Sequence, residues 1–325
     1  MEQPIGTPAD AQAALANYQK AWDAKIVMAA VDIGYLYETG RLGKLDYDEA
    51  VKWYLKAVQV GSPLAMFNMG VMCDKGRGVP QDYRQAIVWY RKAAAAGSTD
   101  AMQNLGVHYK KGQGVDVDYK EAFAWFQKAF DGGNINAATD MGHCYVQGRG
   151  VPQDFKQALV WYRKAAEKGD MDAVAGIGLC YLRGWGVEVD NDQAFKLAKE
   201  SADTGNANGL LLLSTCYYDG KGVQQDKAKW RELMQKAADL GSVEAIALAK
   251  ALPAAELIAS ADNKYAKGDY DGAIADYSSA LKLDPNMPTV WHKRGLAKQA
   301  KDDIAGATAD FQAERLFKLK EGGGN

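Results

Sequence analysis

Proline and long apolar runs are both scarce in this chain, and each absence narrows the fold. Only eight prolines occur in 325 residues, which favours helix over sheet in this alanine-rich sequence. No stretch approaches the roughly 18 apolar residues needed to span a bilayer, so we expect no membrane insertion. The opening segment MEQPIGTPADAQ has neither a basic nor an apolar signal region. We therefore expect a cytoplasmic protein, with the bacterial periplasm as the alternative if a signal peptide has been removed.

The chain has almost no excess of either charge and few histidines. The formal net charge is -2, so no bulk attraction to nucleic acid is expected. The three histidines, His108, His143 and His292, stand far apart along the chain. No His-Glu-x-x-His pattern is present. We expect no catalytic residues, no cofactor, no metal site and no nucleic-acid partner.

What the sequence has in abundance is a repeated glycine pattern. Single glycines recur at a step of 36 residues, at Gly61, Gly97, Gly133, Gly169, Gly205 and Gly241. A Gly-x-Gly-Val element keeps the same period and begins at Gly76, Gly112, Gly148, Gly184 and Gly220. No strand is expected before these elements, so they are interpreted as turns and not as dinucleotide-binding loops. The constant period predicts a repeat architecture.

Each repeat is predicted to be a helical hairpin, as residues 100–133 illustrate. The first half carries apolar residues at helical spacing, at Ala101, Leu105 and Tyr109. Gly112 and Gly114 then end this helix, because glycine adopts positive φ without strain. Asp118 is placed to cap a second helix. The buried face of the second helix is predicted at Ala122, Trp125, Phe126 and Ala129.

The pattern A-x-x-x-LG-x-x-Y-x-x-G-x-GV, followed by WY-x-KAA-x-x-G, resembles the Sel1-like repeat family. Residues 101–133 and 137–169 meet it almost in full. After Gly241 a further first helix begins, and Pro253 is predicted to end it. The period then becomes 34 residues, as between Leu257 and Trp291, and resembles tetratricopeptide repeats. The resemblance implies an all-α fold, a right-handed α-solenoid of stacked helix-turn-helix repeats.

The repeat boundaries predict a division of the chain into five segments. They are an N-terminal capping helix (1–25), six Sel1-like repeats (26–241), a capping half-repeat or connector (242–253), two tetratricopeptide-like repeats (254–321) and a short tail (322–325).

A partner surface is expected where the first helices line the concave groove of the solenoid. By analogy with tetratricopeptide geometry, groove positions fall between the members of the buried stripe. Their most apolar group, predicted as the centre of the site, is Leu179, Leu182, Leu211 and Tyr218. The other candidates are Phe67, Gln103 and His143. Exposed apolar groups tend to mark interfaces; the alternative is that the C-terminal helices of the same chain cover this end.

These observations favour a non-enzymatic scaffold or adaptor. We expect a monomer that binds another protein, as a peptide or a helix, in the concave groove. The alternative is a glycan- or cell-envelope-associated binding protein, or a hydrolase, of the same repeat family. A hydrolase would need a concentrated group of carboxylates or histidines, and the sequence shows none.

The four cysteines yield a first testable prediction. Cys144, Cys180 and Cys216 share one repeat column, so their separation should follow helix packing distances of roughly 9 Å. A disulfide needs Cα atoms within about 7 Å. Thiol titration of the denatured, unreduced protein should therefore count all four cysteines as free. A lower count would contradict the packing argument.

Overall fold

The structure, a computed structural model, describes residues 8–322, with side chains to residue 317. Over this range it contains seventeen helices and no strand, and helix accounts for 75% of the residues. The predicted all-α solenoid fold is therefore confirmed. Residues 1–7 of the predicted N-terminal capping segment and residues 323–325 of the predicted tail lie outside the described residues.

The helices follow one another with short turns between them. They are α1 (Pro8–Asp23), α2 (Val27–Glu38), α3 (Tyr47–Gln59), α4 (Pro63–Lys75), α5 (Tyr83–Ala95), α6 (Thr99–Lys111), α7 (Tyr119–Asp131), α8 (Asn136–Gln147), α9 (Phe155–Ala166), α10 (Met171–Arg183), α11 (Asn191–Asp203), α12 (Ala207–Asp219), α13 (Lys227–Asp239), α14 (Val243–Ala266), α15 (Tyr270–Leu283), α16 (Pro288–Gln299) and α17 (Ile304–Gly322). The chain divides into two compact units, Met1–Leu197 (unit 1) and Ala198–Asn325 (unit 2). The segment boundaries derived from the repeats remain a prediction.

Local signals in the sequence produce the turns of each repeat. Gly112 follows α6 with φ 68°, and Gly114 has φ 76°, as the glycine pattern predicts. The Asp118 carboxylate accepts hydrogen bonds from the backbone N–H groups of Lys120 and Glu121, so the predicted cap of α7 is confirmed. All four cysteines are buried free thiols.

The core of unit 1 is built from alanines and one aromatic ring per second helix. Tyr54, Tyr90, Phe126 and Tyr162 are almost fully buried, with at most 2% of each side chain exposed. Each ring packs against a glycine of the preceding first helix, at Gly34, Gly70, Gly106 and Gly142 respectively. A Cβ atom built at Gly70 or Gly106 would lie 2.5 Å from a ring carbon, so the contact admits no side chain.

The prediction for Pro253 was wrong. It lies inside α14, which runs without a break from Val243 to Ala266. The side chain of Pro253 is exposed. A proline removes a hydrogen bond to the carbonyl four residues earlier, and on an exposed side water can satisfy that carbonyl. The alanine-rich flanks also favour helix strongly, so the helix continues through the proline.

The glycine–aromatic contact predicts an unusual sign for Gly106→Ala. In an open helix, alanine is favoured over glycine by roughly 0.5–1 kcal/mol. Here the new methyl group would clash with Phe126, and overpacking costs about 1–3 kcal/mol. We expect a net loss of about 1–2 kcal/mol in the free energy of unfolding, measured by urea denaturation.

The background variant Phe126→Ala provides the control. With the ring removed, Gly106→Ala should cost clearly less, because the clash with Phe126 is gone and only the close approach to the Ala122 carbonyl oxygen, at 3.0 Å, remains. If Gly106→Ala has the same effect in both backgrounds, the contact does not constrain the stack.

Candidate functional site

The first helices of successive repeats in unit 1 adjoin one another through polar side chains. Lys110 Nζ donates to Asp140 Oδ1 at 2.8 Å, which links α6 to α8. Gln103 Nε2 donates to the other oxygen of Asp140 at 3.1 Å. Thr139 Oγ1 donates to Asp170 at 2.7 Å, which links α8 to the start of α10. We call the surface formed by α2, α4, α6, α8 and α10 the first-helix face.

Aromatic residues of the second helices contact side chains of this face. The half-buried ring of Phe67 lies 5.9 Å from the ring of Tyr90. The half-buried imidazole of His143 packs edge-on against Tyr162, with ring centres 5.4 Å apart. Tyr54 donates its hydroxyl hydrogen to Glu38 Oε2 at 2.7 Å. The face therefore combines aromatic surface with hydrogen-bonding groups.

A cavity of about 280 Å³ opens beside α4 and α6. Its lining includes Asp74, Tyr83, Tyr90, Asn104 and His108. His108 is almost fully buried, with only 3% of it exposed. Its Nδ1 lies 3.0 Å from the carbonyl oxygen of Gln113, so Nδ1 carries a hydrogen. Its Nε2 lies 3.4 Å from Asp74 Oδ1.

The apolar end of the predicted site in unit 1 is partly closed. Leu179 is half-buried, but Leu182 is only 3% exposed and is not available to a partner. The same repeat position holds Glu38, Asp74 and Lys110, whose side chains are 16%, 17% and 27% exposed. Those charged groups reach partners from a position that is itself mostly enclosed. A leucine has no polar end to extend, so it packs inward, and its proposed exposure is corrected.

The other two residues of the predicted centre belong to unit 2, on α12. Leu211 is half-buried, and its carbonyl oxygen accepts hydrogen bonds from the hydroxyls of Ser214 and Thr215. Tyr218 is 46% exposed and packs against Trp230 with ring centres 4.8 Å apart. The assembly of these residues into one site with Leu179 remains a prediction.

Among the side chains that the structure describes, those of residues 8–317, no group of three or more His, Cys, Asp or Glu is arranged to hold a metal ion. No helix in the described part of the chain is long and apolar enough to cross a membrane.

The repeat pattern and the fold match known proteins. The family model for the Sel1 repeat matches residues 2–24, 27–62, 63–98, 99–134, 135–170, 172–206 and 207–242. The chain belongs to the Sel1 repeat family. A tetratricopeptide repeat model matches residues 261–302, so the predicted order of the two repeat types is confirmed. No curated protein matches at a significant level.

Two solved structures resemble this Sel1 repeat protein over most of its length. One is c5321, a protective antigen of uropathogenic Escherichia coli, at 29% identity and a TM-score of 0.62. That match covers 93% of this chain and 71% of c5321. The other is a Sel1 repeat protein from Oxalobacter formigenes, at 32% identity and a TM-score of 0.61. It covers 69% of this chain and 96% of the Oxalobacter protein.

A single Sel1 repeat contains no pattern that marks the cavity residues. A comparison between repeats contains the missing signal. Arg77, Gln113 and Arg149 occupy the same position in consecutive repeats, and only Gln113 is uncharged. His108 likewise replaces Met72 and Cys144 at a buried position. These two departures from the repeat pattern, Gln113 and His108, both line the cavity.

His143 yields a prediction about pH. Burial lowers the pKa of His143 below its usual 6.5, because desolvation disfavours the imidazolium, and this outweighs the attraction of Asp140. The unfolded chain then binds a proton that the folded chain does not. The free energy of unfolding should therefore fall as the pH drops below 6.5, towards the lowered pKa.

The variant His143→Gln isolates this contribution, because glutamine cannot be protonated. We expect the unmodified protein to lose more stability than the variant between about pH 7.5 and about pH 5.5, measured by urea denaturation. Parallel pH dependence of the two proteins would rule out a depressed His143 pKa.

Proposed function

We propose that this Sel1 repeat protein is a non-enzymatic scaffold that binds a partner polypeptide along the first-helix face. The two repeat families to which its segments belong are typically protein-interaction modules. The observation that supports the proposal is the character of the face itself. Phe67, Gln103, His143 and Leu179 are all half-buried there, so each presents only part of its surface.

Half-buried side chains of this kind suit a polypeptide ligand. A bound segment can complete the burial of the aromatic and aliphatic groups without first displacing well-hydrated charges. The hydrogen-bonding groups near Gln103 and Asp140 offer polar contacts beside the apolar ones. Their rotamers are already held by neighbouring residues, which lowers the entropy cost of binding.

The charge and shape of the face change along unit 1. One repeat position holds Glu38, Asp74 and Lys110 and then becomes Val146 and Leu182. A polypeptide with polar groups at one end and apolar groups at the other would match this order. We retain Leu211 and Tyr218 of unit 2 as additional contact positions in this proposal.

Peptide selection tests the proposal. A random peptide library is selected against the full chain, and binding of the strongest peptide is measured by biolayer interferometry. Val146→Asp and Leu179→Asp should each weaken binding by roughly 10- to 100-fold, since an apolar anchor contributes on the order of 1–3 kcal/mol.

The matched control is Val160→Asp on α9. Val160 is 45% exposed and belongs to a second helix, so its replacement should leave peptide binding unchanged. Thermal melts by circular dichroism must show that all three variants remain folded. Failure to select any peptide, or equal losses in the face and control variants, would contradict the proposal.

A further inference from the structure

One loop position of the repeats in unit 1 is occupied in turn by Arg77, Gln113, Arg149 and Trp185. In three of them this residue covers the ring that begins a second helix of the preceding repeat. Arg77 lies 5.6 Å from the ring centre of Tyr47 and Arg149 lies 5.1 Å from that of Tyr119. Trp185 stacks on Phe155 at 5.2 Å. The exception is Gln113, whose corresponding ring, Tyr83, is contacted by His108.

The repeat at residues 27–62 has a complete set of polar partners around Glu38, to which Arg77 of the following repeat contributes. Arg77 Nη1 pairs with Glu38 Oε1 at 3.2 Å. The other oxygen of Glu38 accepts a hydrogen bond from the Tyr54 hydroxyl at 2.7 Å. A guanidinium, a carboxylate and the hydroxyl of a buried tyrosine therefore satisfy one another, with the aromatic face of Tyr47 beside the cation.

The next repeat contains the same set without its guanidinium. Asp74 stands at the position of Glu38, Tyr90 at that of Tyr54, and Gln113 at that of Arg77. Asp74 is one methylene shorter than Glu38. The hydroxyl of the fully buried Tyr90 lies beside Asn104 but has no hydrogen-bond partner of ordinary geometry among the described protein groups. An unsatisfied buried hydroxyl is destabilising, so this arrangement is incomplete as it stands.

The cavity of about 280 Å³ occupies the space between these groups. The Asp74 carboxylate, the Tyr90 hydroxyl and the Asn104 amide supply acceptors in its wall. His108 closes one side of the wall: its Nδ1 donates to the Gln113 carbonyl and its Nε2 lies 3.4 Å from Asp74 Oδ1, so it supplies no free acceptor. The ring of Tyr83 supplies an aromatic surface. Acceptors beside a π-face form a suitable environment for a planar cation.

Three basic side chains line the cavity. The almost fully buried His108 faces Oδ1 of Asp74, and the two lysines oppose a ligand at the other oxygen only weakly. Lys75 Nζ lies 3.5 Å from Asp74 Oδ2, but 58% of its side chain is exposed. Lys111 also lines the cavity and is exposed. Exposed ammonium groups on long side chains are screened by solvent and can move away from an incoming charge. The carboxylate of Asp74, at 17% exposure, is held more firmly.

We propose that the cavity beside Asp74 binds an arginine side chain of a partner polypeptide. The guanidinium of the ligand would take the position beside Asp74 that the Arg77 guanidinium takes beside Glu38 in the preceding repeat. Arginine fits better than lysine because its planar guanidinium has five donors and stacks on aromatic rings. This inference rests on the proposed function, in which a partner lies along the first-helix face, but its test uses a small probe that needs no partner.

The probe is Nα-acetyl-L-arginine amide, titrated into the full chain and followed by NMR at the ring resonances of Tyr90 and His108. We expect saturable binding in the millimolar range. The citrulline analogue has nearly the same shape without the charge and should not bind. The lysine analogue should bind at least several-fold more weakly. Equal binding of either analogue would overturn the assignment.

Substitutions within the repeats locate the site. Asp74→Asn should weaken arginine binding at least tenfold, because it removes the charge that the guanidinium faces. Gln113→Arg should abolish binding by placing a resident guanidinium in the cavity, and it should raise the melting temperature. Probe binding that is unchanged in both variants would overturn the proposal, as would the absence of saturable binding.

The neighbouring repeats provide a gain-of-site experiment. Arg77→Gln should create a second arginine site beside Glu38 and Tyr54. Arg149→Gln should create none, because Lys110 replaces the carboxylate in that repeat. If peptide binding is insensitive to Val146→Asp and Leu179→Asp while the arginine probe behaves as described, the proposed face fails and the cavity assignment stands. If Val146→Asp and Leu179→Asp weaken peptide binding but the arginine probe does not bind, the cavity assignment fails and the proposed face stands.

Discussion

The close packing of an aromatic ring onto a glycine is the contact on which the repeats of unit 1 depend. Tyr90 on Gly70 and Phe126 on Gly106 leave no space for a Cβ atom. This contact brings the two helices of a hairpin close together, and small alanines fill the remaining interior. Phe311 packs in the same way against Gly295 in the tetratricopeptide-like part of unit 2. The same contact thus serves both repeat types.

The ring contact also decides the chemistry of the first-helix face. A tyrosine fixed on a glycine has little freedom in where its hydroxyl points, so the surrounding residues must accommodate that group. Glu38 does so for Tyr54, with Arg77 balancing the charge. Asp74 does not do so for Tyr90. The polar residues at these positions therefore differ around a core contact that hardly varies.

In the repeat that follows that of Tyr90, Phe126 takes the place of the tyrosine, so no hydroxyl is present. Lys110, at the position of Glu38 and Asp74, has no tyrosine hydroxyl to meet and extends to Asp140. Its ammonium also lies 5.5 Å from the centre of the Phe126 ring. The link between α6 and α8 is thus an ion pair. This repeat has neither the carboxylate nor the tyrosine hydroxyl that line the cavity one repeat earlier.

Two residues, Pro253 and Leu182, behave differently from the average of their residue type or helical position. Pro253 was expected to end a helix, yet an exposed proline flanked by alanines is tolerated inside α14. Leu182 was expected to be accessible because its helical position lies off the buried stripe. Its position is mostly enclosed in every repeat of unit 1, which no spacing along a single helix reveals.

The sequence by itself determined the helices, the turns and the repeat order, because these follow from the 36-residue period, the positive-φ glycines and the capping aspartates. Such signals act within a few residues of chain and need no knowledge of the neighbouring repeat. Only the tertiary structure decided which polar groups find partners. The cavity beside Asp74 and the burial of His108 arise from three helices and a loop, brought together by packing that no local pattern encodes.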